Sequence, residues 1–344
     1  MADHAVVYVS NAGSKEVFVL AMDRASGQLE LIEKIPVPGT EKPSPASLPM
    51  TMSRDQKFLY AQLRSDPYPV STFAIDPKSG KLTLVGTTPL VDQMAYLNTD
   101  SSGKHLFAAS YVGAKLGIYP INDRGVVEAK PTQILDTKPK AHCVYVGAGD
   151  RIYVPVLGGD EVLELKFDAA TGTVTPNGPG AVHTKDGAGP RHFTIHPNGK
   201  WAYLITETTA TIGTYAIAAD GTLSEVAFVE TGDWNGKDSA AASDIHVTPD
   251  GKYLYGTVRT TSSLHGYKID PDKGTLTAIG KFATEKTPRG FNIDPRGKFL
   301  LAVGMDSAGL CVRAIDPASG ALTTAGNYPM GTQPNWVEIA DLKV

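Results

Sequence analysis

The chain has 344 residues, 42% of them hydrophobic without a long apolar run, and it contains 35 Gly and 24 Pro. This composition favours many short strands joined by turns. The net charge of -4, from 32 basic and 36 acidic residues, provides no basic surface for nucleic acid or an anionic membrane, so we expect neither as a partner. Cys143 and Cys311 lie far apart, which argues against a disulfide framework or a zinc site and predicts two small buried residues.

The N-terminal segment, residues 1–9, lacks the basic region of a secretory signal and enters a predicted strand at once. We therefore expect a cytoplasmic protein. The first predicted strands lie at 5–10, 16–21 and 29–35, each bounded by Gly, Asn or Pro.

Two short motifs then recur along the chain. A turn of the Asp/Asn-Gly-Lys type occurs six times, and its closing basic residues, at positions 57, 104, 151, 200, 252 and 298, are 46 to 52 residues apart. A glycine that follows an acidic or Asn residue by one to four positions occurs seven times, at Gly27, Gly80, Gly125, Gly172, Gly221, Gly274 and Gly320. Each repeat contains four predicted strands, for example 193–196, 202–206, 212–217 and 223–229.

Repeats of about 50 residues with four short antiparallel strands are typical of β-propeller blades. The sequence therefore predicts an all-β protein, a seven-bladed propeller in one domain spanning residues 1–344. The first motif lacks a seventh copy, which is explained if one blade combines an inner strand at 334–340 with the three N-terminal strands. Such a closure pairs the ends of the chain and removes exposed sheet edges.

Ionisable residues are concentrated where this fold predicts one mouth of the central channel. Because neighbouring strands run in opposite directions, the loops that lead into the inner strands share a face with the loops between second and third strands. The first set supplies His142, Arg191, His192, Asp244 and Arg289, and the second supplies Arg64, Tyr111, Glu207, Arg259 and Asp306. Ionisable groups clustered in a cleft tend to be functional, so we expect a site here.

Each candidate also has a structural explanation. His142 is compatible with a histidine hydrogen-bonded inside the channel, Arg191 with a partner of a carboxylate such as Asp244, and Glu207 with an ordinary residue of a Thr-rich loop. Arg259 is compatible with a solvated charge and Arg289 with blade packing. His196 and His246 lie inside inner strands, a position typical of hydrogen-bonded core histidines, although His246 is kept among the candidate substrate-binding residues. An insertion at 233–235 is a candidate rim or partial lid.

The chain lacks a Gly-x-Ser-x-Gly nucleophile motif and a phosphate-binding Gly-Lys-Ser/Thr loop, and no ligand spacing indicates a metal site. We expect no cofactor and no metal. A metal site built from side chains of separate blades is the alternative that this spacing argument leaves open. The predicted mouth offers guanidinium groups for an anion, and His and Glu for proton transfer.

The segments 187–192 (GAGPRH), 243–255 (SDIHVTPDGKYLY) and 288–294 (PRGFNID) resemble the lactonase family of seven-bladed propellers. This family includes propeller-type 6-phosphogluconolactonases and fungal 3-carboxy-cis,cis-muconate cyclases. The resemblance covers nearly the whole chain and implies a site of one His, two Arg and one Glu, which match His142, Arg191, Arg259 and Glu207. Around His142, the segment 140–147 (KAHCVYVG) departs from the usual pattern, so the resemblance predicts the family more firmly than the substrate.

The leading hypothesis is therefore a metal-independent hydrolase of a sugar or sugar-acid lactone. The catalytic residues are expected to be His142, Glu207, Arg191 and Arg259, with Glu207 or His142 as the base, and the substrate-binding residues His192, Arg289, Asp244 and His246. A cycloisomerase of muconate-type diacids and a non-catalytic protein-binding propeller are the alternatives. The expected partner is a small lactone, and the protein is expected to be a monomer or a dimer.

Overall fold

The computed structural model describes residues 4–42 and 47–342, in which 28 strands form seven four-stranded antiparallel sheets. The predicted domain bounds, residues 1 and 344, lie outside the described residues. One sheet, the closing blade, consists of β1 (His4–Asn11), β2 (Glu16–Asp23), β3 (Leu29–Pro36) and the last strand, β28 (Pro334–Ala340). Blade 1 consists of β4 (Met50–Met52), β5 (Phe58–Gln62), β6 (Pro69–Ile75) and β7 (Leu82–Pro89). Blade 2 consists of β8 (Tyr96–Thr99), β9 (His105–Ser110), β10 (Lys115–Pro120) and β11 (Gln133–Asp136).

The other four blades follow in chain order. Blade 3 consists of β12 (Tyr145–Val146), β13 (Arg151–Val156), β14 (Glu161–Asp168) and β15 (Thr173–His183), with a 3-10 turn at Leu157–Gly159. Blade 4 consists of β16 (Pro190–Ile195), β17 (Trp201–Thr206), β18 (Thr211–Ile217) and β19 (Leu223–Glu230). Blade 5 consists of β20 (Ala242–Val247), β21 (Tyr253–Val258), β22 (Ser263–Ile269) and β23 (Leu276–Ala283). Blade 6 consists of β24 (Pro288–Ile293), β25 (Phe299–Gly304), β26 (Gly309–Ile315) and β27 (Leu322–Pro329).

The predicted seven-bladed propeller is confirmed, and so is its closure. Strand β28 pairs antiparallel with β1, with Val9 opposite Val337 and Tyr8 opposite Glu338. The innermost strand of the closing blade is β28, and in each of the other blades it is the first strand in chain order. Neighbouring inner strands contact each other, as β20 does with β16 and β24. The seven inner strands therefore surround the central channel.

The apolar core lies between neighbouring blades. Between the closing blade and blade 1, for example, the buried side chains include Tyr8, Leu48, Leu59 and Phe73. The fourth strand of a blade, which we call its outer strand, is mostly exposed because it forms the edge of the sheet farthest from the channel. Both cysteines are free and buried, as predicted.

The recurring glycines mark contacts between blades. Five tyrosines on second strands donate a hydrogen bond to the glycine carbonyl in the next blade, at 2.7 to 3.0 Å: Tyr8 to Gly80, Tyr60 to Gly125, Tyr153 to Gly221, Tyr203 to Gly274 and Tyr255 to Gly320. In blade 2, Phe107 occupies this strand position, and Thr132 donates to Gly172 instead. Glycine is favoured at Gly274 because its φ is +69° and a Cβ there would lie 2.5 Å from Trp201.

The two ends of the channel differ. We call the end where loops lead into the inner strands the upper mouth, and the end with the Asn-Gly-Lys type turns the lower mouth. His196 lies in one of those turns, just after β16. Its Nε2 donates to the carbonyl oxygen of Gly251 at 2.9 Å and its Nδ1 accepts from the amide of Asn198 at 3.1 Å, so its prediction as a core histidine is confirmed. In the described ranges, no helix has the length and hydrophobicity needed to cross a membrane.

Candidate active site

Two arginines from neighbouring blades share one carboxylate at the upper mouth. The Nε atom of Arg191, in β16, donates to Oε2 of Glu207 at 2.8 Å. The same oxygen lies 3.0 Å from Nη2 of Arg259, which follows β21 in the next blade. Arg191 and Arg259 are also fixed by the backbone, because they donate to the carbonyl oxygens of Ser243 and Ala241. The structure therefore brings together three of the four residues that the resemblance predicts as catalytic.

Bulges in three successive inner strands place these side chains. The pairing of β16 with β17 shifts register between Pro190 and His192, so Arg191 is the extra residue. The same irregularity occurs between Ala242 and Ile245 in β20, around Asp244, and at Arg289 in β24. A bulge bends the strand and re-aims a side chain, which allows the consecutive Arg191 and His192 to serve the same site.

The arginine cluster keeps Glu207 ionised. Burial alone would raise the pKa of Glu207, but the charges of Arg191 and Arg259 outweigh burial and hold this pKa below its ordinary value. Burial, together with the charge of Arg259, lowers the pKa of Arg191 to about 10, so Arg191 stays cationic at neutral pH. Glu207 and Arg259 keep 20% and 17% of their side-chain surface exposed, against 1% for Arg191. A ligand therefore reaches the cluster from the side of Glu207 and Arg259.

Two buried imidazoles lie beside this cluster. The rings of His142 and His192 are 5.1 Å apart in an edge-to-face arrangement, and only 4% and 3% of these residues are exposed. Among the described residues, Nδ1 of His142 and Nε2 of His192 have no hydrogen-bond partner. Burial and the charge of Arg191 lower the pKa of both, to about 4 for His192 and well below the usual range for His142. Both rings are therefore neutral near pH 7.

Asp244 supports His192 from the next blade. Its Oδ1 accepts a hydrogen bond from Nδ1 of His192 at 2.8 Å, and its Oδ2 accepts from the amide of Phe291 at 3.0 Å. Nε2 of His246 lies 3.3 Å from the same Oδ2. Asp244 thus contacts the candidate site through His192, and the alternative pairing of Asp244 with Arg191 is not what the structure shows: Arg191 pairs with Glu207.

Arg289 and Arg64 add positive charge to the upper mouth. Burial and the charges of Arg191, Arg259 and Arg64 hold the pKa of Arg289 well below its usual range. Within residues 4–42 and 47–342, no hydrogen bond or ion pair joins Arg289 to a carboxylate. Arg64, which follows β5, is buried, and its Nη1 donates to Oγ of Ser47 at 3.1 Å. Sequence reasoning placed Arg64 on this face but did not select it. Arg64 follows the second strand of its blade, as Glu207 and Arg259 do in theirs. This shared position was the signal that could have identified Arg64 as a site residue.

His246 lies away from this cluster. It is two residues further along β20 than Asp244, toward the lower mouth, and it lines a cavity of about 340 Å³ with Trp336, Glu338 and Arg54. The structure therefore places His246 in contact with Asp244, one of the other candidate substrate-binding residues, but also on the wall of a separate cavity toward the lower mouth.

The predicted rim insertion is tied to blade 5. The carboxylate of Asp233 is buried and accepts hydrogen bonds from Nε2 of His265 at 2.7 Å and from Oγ1 of Thr261 at 2.6 Å. At the end of the insertion, the amide of Ala242 donates to the carbonyl oxygen of Glu207 at 3.1 Å. The segment 233–235 is thus held against the third and fourth strands of blade 5, and it is the residues after it, such as Ser239, that contact the backbone of Glu207.

The fold is a seven-bladed ring, and one mouth of its channel holds a cationic cluster and two neutral imidazoles. The protein is therefore a propeller with an axial site like that of an enzyme. The model of the family described as "Lactonase, 7-bladed beta-propeller" matches residues 12–339. The chain belongs to this family.

Relatives named as lactonases agree with this assignment. A 6-phosphogluconolactonase of Serratia proteamaculans is 36% identical over 338 residues, covering 97% of this chain and 98% of the relative. The crystal structure of a proposed 6-phosphogluconolactonase from Bacteroides fragilis matches with a TM-score of 0.86 at 28% identity, over 98% of each chain. The structure of a periplasmic gluconolactonase of Pseudomonas aeruginosa, with a TM-score of 0.88 at 23% identity over 99% of this chain and all of the other, is similar in fold.

Proposed function

We propose that the protein hydrolyses the ring ester of a sugar-acid lactone, and that its substrate is 6-phosphogluconolactone. The observation that carries this proposal is the Glu207 carboxylate clamped between two guanidinium groups beside two neutral imidazoles. The similarity to the 6-phosphogluconolactonase of Serratia proteamaculans supports the same reaction.

Arg191 and Arg259 stabilise the transition state in this proposal. When water attacks the ring carbonyl, the carbonyl oxygen becomes an oxyanion, and preorganised donors aimed at that oxygen lower the barrier. The two guanidinium groups are held in place by Glu207 and by backbone carbonyl groups before substrate binds. Glu207 thus acts mainly by aligning the two cations.

His142 is the general base in this proposal. Glu207 is unsuited to this role because its Oε2 already contacts both guanidinium groups. The imidazole of His142 is neutral, and since its Nδ1 is buried, Nε2 is the ring nitrogen left for a ligand. His142 takes a proton from water as the new C–O bond forms, and then returns that proton to the ring oxygen as the ester C–O bond breaks. The product is the open-chain hydroxy acid.

The substrate phosphate binds to Arg289 and Arg64. A phosphate dianion needs more positive charge than the carboxylate-paired Arg191 and Arg259 supply, and Arg289 has no carboxylate partner within the described residues. Guanidinium groups match phosphate oxygens in geometry and charge. A neutral lactone would leave these charges without a partner.

We infer further properties from the same arrangement. The two arginines take the role that a Lewis-acid metal has in other hydrolases, so hydrolysis is expected to persist after chelation with EDTA.

The protein is proposed to be a single propeller domain over residues 1–344, cytoplasmic, and a monomer or dimer. Cell fractionation and light scattering test the last two properties.

A substrate panel tests the proposed function. Initial rates are measured with 6-phosphogluconolactone, gluconolactone and carboxymuconate, each corrected for the uncatalysed rate. We expect kcat/KM for the phosphorylated lactone to exceed that for gluconolactone by at least about tenfold. Turnover of carboxymuconate without lactone hydrolysis would instead establish the cycloisomerase, and the absence of any turnover would favour a binding protein.

A further inference from the structure

Asp244 has no hydrogen-bonding capacity left for a substrate. Its Oδ1 accepts from Nδ1 of His192 at 2.8 Å and from the amide of Ile245 at 3.0 Å. Its Oδ2 accepts from the amide of Phe291 at 3.0 Å and lies 3.3 Å from Nε2 of His246. Only 12% of this side chain is exposed. Asp244 therefore acts on the site through the residues that it holds.

These contacts determine where the proton of His192 lies. Burial alone would raise the pKa of Asp244, but His246 and His192 outweigh burial and hold this pKa well below its usual range. An ionised carboxylate only accepts hydrogen bonds, so Nδ1 of His192 must carry the proton. In the neutral ring, Nε2 of His192 is then unprotonated.

Two buried nitrogens near each other are left without partners. They are Nε2 of His192 and Nδ1 of His142, in rings whose centroids are 5.1 Å apart. Buried polar atoms without hydrogen bonds are rare in native proteins and are costly to maintain. A protonated Nδ1 of His142 would complement the acceptor on His192 through one bridging water molecule.

We propose that Asp244 is a positioning residue for the base His142, acting through His192. Asp244 fixes His192 as the Nδ1–H tautomer, and Nε2 of His192 accepts the hydrogen bond of Nδ1–H on His142 through one bridging water molecule. His142 then presents an unprotonated Nε2 to the attacking water. The kinetic part of this inference rests on the proposed function, whereas the tautomers can be measured without any substrate.

His246 completes the support of Asp244 from the lower side. Burial alone would lower the pKa of His246, but Asp244 and Glu338 outweigh burial and raise it. The raised pKa favours the protonated ring of His246, and a charge on that ring favours an ionised Asp244. The order from lower to upper mouth is thus His246, Asp244, His192 and His142, with Asp244 between two imidazoles from different blades.

Nuclear magnetic resonance of protein labelled with ¹⁵N-histidine tests the proposal. The signals of His142 and His192 are assigned with the variants His142→Gln and His192→Gln. We expect both rings to carry their proton on Nδ1. In Asp244→Asn, the amide group of Asn can donate to Nδ1 of His192, so we expect the proton of His192 to move to Nε2 and kcat to fall by about 10²-fold with KM nearly unchanged.

Asp100→Asn is the matched control, because Asp100 is a second buried aspartate near a histidine, His105, but lies in a turn at the lower mouth. It is expected to lose stability and keep kcat. A proton on Nε2 of His192 in the wild type would overturn the proposal, and this outcome is decided even if Asp244→Asn does not fold. An unchanged kcat in a folded Asp244→Asn would also overturn it. Absence of all lactone hydrolysis in the wild type would reject the proposed function instead, and the tautomers would still decide the role of Asp244.

Discussion

The contacts between blades and the upper mouth of the channel use polar side chains in opposite ways. Between blades, five buried tyrosine hydroxyls each donate to a glycine carbonyl of the next blade, as Tyr203 does to Gly274. At the upper mouth, ring nitrogens of His142 and His192 have no partner among the residues described, and Arg289 pairs with no carboxylate there. Stability comes from repeated, satisfied contacts, whereas the candidate site holds an arginine charge without a carboxylate partner and two buried ring nitrogens that no side chain satisfies.

The largest expected effect is at His142. His142→Gln removes the proposed base, so kcat should fall by about 10³-fold while KM changes little. Steady-state kinetics with the phosphorylated lactone measure this. The matched control is His196→Gln, a buried histidine at the lower mouth, which should lower stability and leave kcat unchanged. A His142→Gln enzyme with kcat close to that of the wild type would remove His142 from the chemistry.

A smaller loss is expected at the arginine pair. Arg191→Lys keeps the charge but removes the planar fork that contacts both Glu207 and the carbonyl of Ser243, so kcat/KM should fall by about 10²-fold. Arg313→Lys, on β26, the third strand of blade 6, is the control and should behave like the wild type. If the two variants were equally active, the guanidinium geometry of Arg191 would be irrelevant to catalysis.

Arg289 is expected to affect selectivity more than rate. Arg289→Gln should reduce kcat/KM for 6-phosphogluconolactone by about tenfold and leave gluconolactone nearly unaffected, because only the phosphate needs this charge. The ratio of the two kcat/KM values is the measurement. An equal loss with both lactones would place Arg289 in the common chemistry or in packing, and not in a phosphate site.

The contacts between blades should show the smallest effect on activity. Tyr203→Phe removes one hydroxyl donor to Gly274 and should lower the free energy of unfolding by about 1 kcal/mol, with kcat unchanged. Urea denaturation and steady-state kinetics on the same preparation measure both quantities. A change in kcat without a change in stability would mean that the contacts between blades and the candidate site are not separate in function.

Local signals explain why the fold could be predicted from the sequence. A turn glycine with positive φ, such as Gly274, is required by its own backbone and recurs in each blade, so the repeat is visible without any tertiary information. The closing strand was predicted at 334–340, which is where β28 (Pro334–Ala340) lies.

The site was only partly predictable, because its geometry depends on contacts between blades. The bulge at Arg191 breaks the alternation of β16, and no local pattern announces it. The pairing of Glu207 with Arg259 joins blades 4 and 5, and the depth of His246 in the channel depends on how far β20 extends below Asp244. Arg64 was not selected because a single arginine after a strand resembles any surface charge.

The pH dependence of kcat/KM, for the wild type and His142→Gln, tests the central claim most directly. Burial lowers the pKa of His142, so its ring stays neutral and competent as a base at pH values below the ordinary histidine pKa of 6.5. We predict that the wild-type rate stays level from pH 8 to 6.5, and falls only as the pH drops through that lowered pKa. The residual rate of His142→Gln should lack this fall. A fall that persists unchanged in His142→Gln, or a wild-type rate that already falls above pH 6.5, would contradict the account.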